Sequence, residues 1–481
     1  MERLELQLRF YVSEEGVVLE HSSEYHIFGN RLIANALQLA RLNGIEPSKR
    51  LLQAYRDTTK FAQRMLRPDG SLPLVGNTAG GSHSMPIFGS ADATAMNDGA
   101  YGHPFASPES FAGSHIYPLS GYAIWWDAGS VPSQTFVAWA KHDRHGHKHA
   151  DEPSVHLWSR GVDWVTATGY WPYGGRGHDE ANGWQGANAP HAKGEAALSP
   201  RTVRLLGSGE AGSVRVIDIE NVRETGLKVR RQIVQLASEQ ILVLDAVRGA
   251  TAPVETLWTL DPRLTLQALG EQRFISSSVD SGHALQIDLA HDEGAAIHTA
   301  LYRGSFAPFA GWVVMGNQPT PAPSLLVERP TGDSLTATLF SVNKQSGPGV
   351  FKLAVGAQAD NWTIDMQGSI GVQRVQRRDG IIEIMASQET TILKLAGPPT
   401  LASQQQALRM AMSQAIEFYP QWRELGLYHQ RVYMAVAGLW GAAEMMLGIF
   451  AWLRWRRAWM DLVVVIGWAC VAWWVRVHYL V

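Results

Sequence analysis

Between residues 143 and 151 the chain reads Asp-Arg-His-Gly-His-Lys-His-Ala-Asp, three histidines and two aspartates in nine positions, with His156 close behind in an apolar run. Imidazoles at alternate positions can hold a divalent transition metal or work as a proton-transfer pair, because the neutral ring is both a ligand and a base near neutral pH. The stretch "SVHLW" (154–158) alternates as a β-strand does. Extended backwards, that period places His147, His149 and Asp151 on one face. A metal would need a further donor, and His178 and His191 are the candidates; the one cysteine, Cys470, leaves no thiolate zinc site. The same residues could instead form a solvated polar loop at a strand edge.

The elements that must position these groups change character along the chain. Residues 24–67 carry a helical stripe: Leu32, Ile33, Ala36, Leu37 and Ala40, then Leu51, Leu52, Tyr55, Ala62, Met65 and Leu66 after the break at Pro47. Glu20, Ser22 and Ser23 stand where capping residues stand. "RPDGSLP" stops the second helix, and residues 75–115, rich in Gly, Ser, Ala and Asn, read as a long connection of the kind that lies over a site. From 116 to 396 come short alternating runs separated by turns, Arg378-Asp379-Gly380 among them, with no βαβ alternation. The expected fold class is therefore α+β: helices, then a large antiparallel β-sandwich. "GYWPYGG" (169–175), with Tyr170 and Trp171, and Trp184 beyond it offer rings for stacking on sugars or on each other.

After a helical linker (397–431) broken near Pro420, residues 432–453 hold Glu444 as their only charge, and 462–481 form a second apolar run. Both are long enough to cross a bilayer, which predicts two transmembrane helices over 432–481. The loop between them holds Arg454, Arg456 and Arg457 and is expected in the cytoplasm, which puts the main domain outside the inner membrane, periplasmic or extracellular. "MERLELQLRFYVSEEG" has neither the basic nor the apolar part of an export signal, so a later start than an ancestral one is expected. With a net charge of −3 and no basic run, nucleic acid is not an expected partner.

Three stretches resemble one family. "HGHKHADEPSVHLWSRGVDWVTATG" is similar to the H-x-H-A-D segment that opens the β-sandwich of heparinase II/III-like polysaccharide lyases, "GANAPHAKGE" to the segment with a later histidine, and "EEGVVLEHSSEYHIFGNRLIANAL" to its D-G-x-x-x-E-x-S-x-x-Y-H helix start. The resemblance implies a partial α/α toroid over residues 1–115, a sandwich over 116–396, and cleavage of a uronic-acid-containing polysaccharide by β-elimination. It makes Tyr25 the acid, often also the base, with His147 its partner. His149 and His191 become ligands of a divalent metal, zinc by preference, and Glu20, Tyr170, Trp171 and Trp184 contacts to the acidic polysaccharide. A phenol with a pKa near 10 serves as acid most readily where positive charge lowers it. Two departures stand out. Where relatives carry an aspartate ligand in V-D-P-G, this chain has Val165-Thr166-Ala167-Thr168-Gly169, and only 24 residues precede Tyr25, where relatives supply a carboxylate-neutralising Asn or His.

The expectation is a membrane-anchored polysaccharide lyase. The alternative is a catalytically silent glycan-binding or assembly component of an exopolysaccharide system. A third reading is a metal-dependent hydrolase that uses the cluster with Asp143 or Asp151.

Overall fold

The structure is a computed structural model that describes residues 11–81, 112–129, 131–140, 147–278, 282–292, 296–342, 350–355, 361–367, 372–386 and 389–397, with residues 5, 8, 467 and 468. Asp143, most of the 75–115 connection, the 397–431 linker and the apolar runs of 432–481 lie outside these residues, apart from isolated positions. No helix among the described residues is long and apolar enough to cross a membrane.

Helix α1 (Ser23–Leu42) begins where Ser22 turns extended and its hydroxyl accepts the Tyr25 amide at 3.4 Å. Helix α2 (Lys49–Met65) begins at Ser48, which accepts the Leu51 amide at 3.2 Å. Each hydroxyl satisfies an amide that the helix itself cannot, and Pro47 stands in the break between them. Ile27, Ile33, Ala34, Leu37 and Ala40 form the buried face of α1. Leu32, expected in that stripe, is instead 46% exposed beside Phe28. One residue of helix turns a side chain by about 100°, and the buried arc centred on Ile33, Ala34 and Leu37 leaves Leu32 on its outer side.

Strands β1 (Gly113–Tyr117), β2 (Tyr122–Asp127), β3 (Ser133–Ala138), β4 (Ser154–Ser159) and β5 (Val162–Val165) form an antiparallel meander in sequence order. Its alternate residues serve two cores. Tyr122, Ile124, Trp126 and Phe136 pack on Ile27, Phe61, Ala62 and Met65 of the helices. Ala123, Trp125, Val137 and Trp164 pack on Ile217, Ile233 and Val243 of the next sheet.

That next sheet has eight strands, in the order Leu264–Ala268, Arg273–Ser278, Ala284–His291, Gly332–Val342, Gln240–Ala250, Lys228–Ala237, Val214–Arg223 and Arg201–Ala211. Its other face, with Val216, Val234, Leu242 and Leu339, packs on Ile364, Val375 and Ile382 of a five-stranded meander running from Val350 to Lys394. The strand region is thus a stack of sheets rather than one pair. The reason is visible in strands such as Val214–Arg223, whose Val216 and Ile217 are both buried: a sheet covered on both faces needs apolar residues on both. Arg378-Asp379-Gly380 does make a hairpin, with Arg378 opposite Ile381 and positive φ at Asp379 (51°) and Gly380 (78°), the geometry a two-residue turn requires. A four-stranded sheet of His298–Arg303, Pro323–Arg329, Val254–Thr259 and His191–Ala192 sets His191 opposite Glu255.

Candidate active site

Four loops meet at the start of α1: residues 18–22, 76–79, 147–153 and 170–178. Gly76 lets three of them touch. Its φ is 57°, and a Cβ there would lie 2.4 Å from the His147 carbonyl oxygen and 2.7 Å from that of His21, so no larger residue fits. The close approach allows the Asn77 amide to donate to the His147 carbonyl at 2.9 Å. Ser22 Oγ donates to the Asn77 carbonyl at 2.9 Å and meets Thr78 Oγ1 at 3.0 Å, which ties the cap of α1 to the same loop.

The ring of His147 lies on that of Tyr25, with 3.5 Å between centroids and 15° between planes. Its Nδ1–H donates to Glu20 Oε2, and Glu20 Oε1 accepts from the Tyr11 hydroxyl at 2.7 Å. A carboxylate only accepts, so His147 carries its proton on Nδ1 and presents the lone pair of Nε2. Glu20, expected among the sugar contacts, therefore holds the imidazole. Both rings are half-buried, which leaves them within reach of a substrate.

The Tyr25 phenol is held above its usual pKa by burial first, then by the adjacent Tyr173, Glu20 and Glu24. This corrects the expectation that positive charge would lower it. Tyr25 is therefore a neutral phenol in the resting protein and carries the proton that a leaving oxygen would need, though its burial among acids and phenols makes it a weaker acid than a free tyrosine.

Behind His147 lies a dry ionic cluster. Lys148 Nζ donates to Asp151 Oδ1, to Glu152 Oε2 at 3.1 Å and to the His149 carbonyl at 2.6 Å, while Arg201 Nε donates to Glu152 Oε1 at 2.7 Å. Burial pushes the Glu152 carboxyl up, but Lys148 and Arg201 outweigh it and hold it down at about 2. Asp151 is thereby engaged with Lys148 through Oδ1, while its Oδ2 is buried without a hydrogen-bond partner among the described residues. The cluster fixes the backbone between His147 and β4.

The two histidines expected to share a metal do not assemble a ligand set. His149 Nε2 donates to Asn77 Oδ1 at 2.7 Å. His191 Nδ1 donates to the Ala189 carbonyl at 3.0 Å, and its buried Nε2 has no hydrogen-bond partner; the nearest acid oxygen recorded for it is Glu255 Oε2 at 3.8 Å. Among the described residues no group of three or more His, Cys, Asp or Glu side chains could hold a metal ion. Residues 166–168 contribute threonines and an alanine where a carboxylate is wanted, and no step below is drawn through a metal. His178, the other candidate donor, contacts Asp179 and Asn182.

The expected aromatic contacts separate into covered and open rings. Trp184 is 0% exposed, with Arg201 and Arg223 guanidiniums 4.4 and 4.7 Å from its centroid and His191 parallel to it at 6.1 Å, so its faces are taken by protein. Trp171 is buried among Phe306, Phe309 and Trp312. Tyr170 is half-buried and meets Tyr173 edge to face at 5.8 Å. Tyr173 is 64% exposed, and its hydroxyl accepts from Asn77 Nδ2 at 3.1 Å. Sequence reasoning did not single out Tyr11, Gly76 or Asn77, and reached Tyr173 only as part of the stretch "GYWPYGG"; the glycine-rich text around "GNTAGG" hinted at the loop that carries Gly76 and Asn77.

The family model described as "Heparinase II/III-like, C-terminal" matches residues 112–348. Among solved structures, the heparan sulfate lyase HepC from Pedobacter heparinus superposes with a TM-score of 0.61 at 14% identity, over 81% of this chain and 60% of that one. A structure of heparinase III gives 0.60 at 13% identity, over 81% of this chain and 63% of that one. These likenesses speak to the fold, and the chain spans about 60% of the length of HepC. No curated protein matches the sequence.

Proposed function

Residues 112–348 form a heparinase II/III-like C-terminal domain, and from that premise we propose that the chain is a polysaccharide lyase acting on a uronic-acid-containing polymer by β-elimination. The observation that carries the reading is the stacked Tyr25–His147 pair with Glu20 on the imidazole.

Its chemistry divides between the two rings. His147 Nε2 takes the proton from the carbon beside the uronate carboxyl. The electron pair left behind forms the new double bond and expels the glycosidic oxygen of the next sugar, and the Tyr25 hydroxyl gives that oxygen a proton. The products are a shortened chain and one ending in an unsaturated uronate. Glu20 keeps the imidazole in the tautomer that accepts at Nε2 and steadies the cation formed when it does. Positioned acid–base groups of this kind contribute about 10²–10⁴-fold each.

The likeness to a heparan sulfate lyase and a heparinase III supports an acidic glycosaminoglycan or a related bacterial exopolysaccharide as substrate class. The apolar runs 432–453 and 462–481 support attachment to the inner membrane, and Arg454, Arg456 and Arg457 between them support a site on its outer side.

The test is ultraviolet absorbance of the unsaturated uronate, measured with the full chain on glycosaminoglycan, polyuronate and exopolysaccharide substrates. Wild type forms product on at least one of them, and Tyr25→Phe and His147→Ala each lose about 10²–10⁴-fold with unchanged melting. Binding without product from wild type would make the chain a silent glycan-binding component.

A further inference from the structure

Elimination beside a carboxylate requires that carboxylate to be met by donors, because negative charge grows on it as the proton leaves. Among the described residues, the Tyr25 phenol lies beside His147 and feels two acids, Glu20 and Glu24, and two phenols, Tyr173 and Tyr170. Lys148, next to His147 in sequence, is buried and bound to Asp151 and Glu152. Of these described neighbours, the phenols can donate a hydrogen bond to a uronate and the carboxylates cannot.

Tyr173 is built for that. Though exposed, its hydroxyl is fixed in place by Asn77 Nδ2, which donates to it at 3.1 Å. Asn77 is only 3% exposed and cannot swing: its Oδ1 accepts from His149 and its backbone amide donates to the carbonyl of His147. Because the phenol oxygen receives a hydrogen bond, its own proton is directed elsewhere, and Asn77 is its one hydrogen-bond partner among the described residues.

The loop beneath is stiff. Trp171 anchors it in the Phe306, Phe309 and Trp312 cluster and donates from Nε1 to the Arg176 carbonyl at 3.1 Å, while the Tyr170 amide donates to the Thr78 carbonyl at 2.9 Å. One residue, Asn77, thus holds both the backbone of His147, whose ring lies on Tyr25, and the hydroxyl of Tyr173.

We propose that Tyr173, oriented by Asn77, is the hydrogen-bond donor that binds the substrate's carboxylate in the subsite beside Tyr25 and His147. The identity of the ligand as a uronate rests on the lyase reading above. A hydrogen bond to a charged acceptor strengthens as that charge grows, so Tyr173 acts on turnover as well as on binding.

The experiment measures binding by calorimetry, and product formation, on heparan sulfate and on the same polymer with its carboxyl groups reduced to alcohols. Wild type prefers the native polymer by about tenfold or more. Tyr173→Phe binds the two polymers about equally, with kcat on the native one down about tenfold and melting unchanged, as suits an exposed side chain. Tyr25→Phe loses turnover but keeps the preference. Retention of the wild-type preference in Tyr173→Phe would overturn the inference while leaving the lyase reading intact. A wild type that prefers the native polymer without cleaving it, paired with a Tyr173→Phe that does not discriminate, would uphold the carboxylate site and sink the lyase reading alone. Failure of wild type to bind these polymers and likewise the polyuronate and exopolysaccharide substrates, native or carboxyl-reduced, would remove both.

Discussion

Two aromatic rings in this protein lie nearly parallel to a histidine, Tyr25 against His147 at 15° and Trp184 against His191 at 9°, and the pairs have opposite fates. At the first, both rings reach solvent and a carboxylate takes the imidazole proton, so one nitrogen is held and the other is open. At the second, His191 is 1% exposed, a backbone carbonyl takes its proton, and two arginines cover the indole. Burial holds His191 down at about 4, so it stays neutral near neutral pH. Residue type is shared between the pairs; access and the charge of the partner are not.

The comparison breaks most sharply at Trp184. Replacing it with Ala should cost about 3–5 kcal/mol in urea unfolding, because a fully buried ring leaves a cavity and uncovers two guanidiniums, while activity per folded molecule stays the same. Weaker polysaccharide binding with stability intact would make Trp184 a sugar platform and erase the distinction.

His191 gives the next largest effect, through pH. Its folded pKa lies below its unfolded value, so the unfolded chain gains a proton first and stability is lost as pH falls from about 6.5 to about 4. Over that window wild type should lose about 1.4 kcal/mol per pH unit more than His191→Gln, measured by denaturation at each pH. Parallel curves for the two proteins would show that His191 titrates alike when folded and unfolded.

At the open pair, Glu20→Gln should lower kcat about tenfold with little change in melting, since a neutral amide steadies the imidazolium less. An unaltered kcat would mean that Glu20 does not act through His147. The smallest effect is expected from a chelator. Thermal melting should not move, because the described donors near His149 and His191 are engaged or solitary. A fall of several degrees would show that other residues complete a metal site.

Much of the open pair was legible in the sequence, and the closed one was not. Tyr25 and His147 stand in the two motifs that the family resemblance picks out, and the structure stacks their rings; the capping serine that aims Tyr25 is written three residues before it. Trp184 gave the same signal as any tryptophan in a glycine-rich loop, because the arginines that cover it come from 201 and 223, on strands whose register no local pattern discloses. The shared face expected for His147, His149 and Asp151 has a related limit: H-x-H spacing puts two imidazoles on one face only if the strand extends that far, and β4 begins at Ser154. Asn77 was invisible because an amide that organises three loops looks in text like any polar loop residue.

The order of strands in the eight-stranded sheet has a consequence for synthesis. Gly332–Val342 lies between Ala284–His291 and Gln240–Ala250, so a late segment of the sheet occupies its middle. Until the ribosome has released residue 342, the edges of both neighbours stay unpaired and their apolar faces unfinished. Fragments ending before Gly332 should therefore be captured by chaperones or precipitate, and the whole sheet should close in one step when that strand arrives.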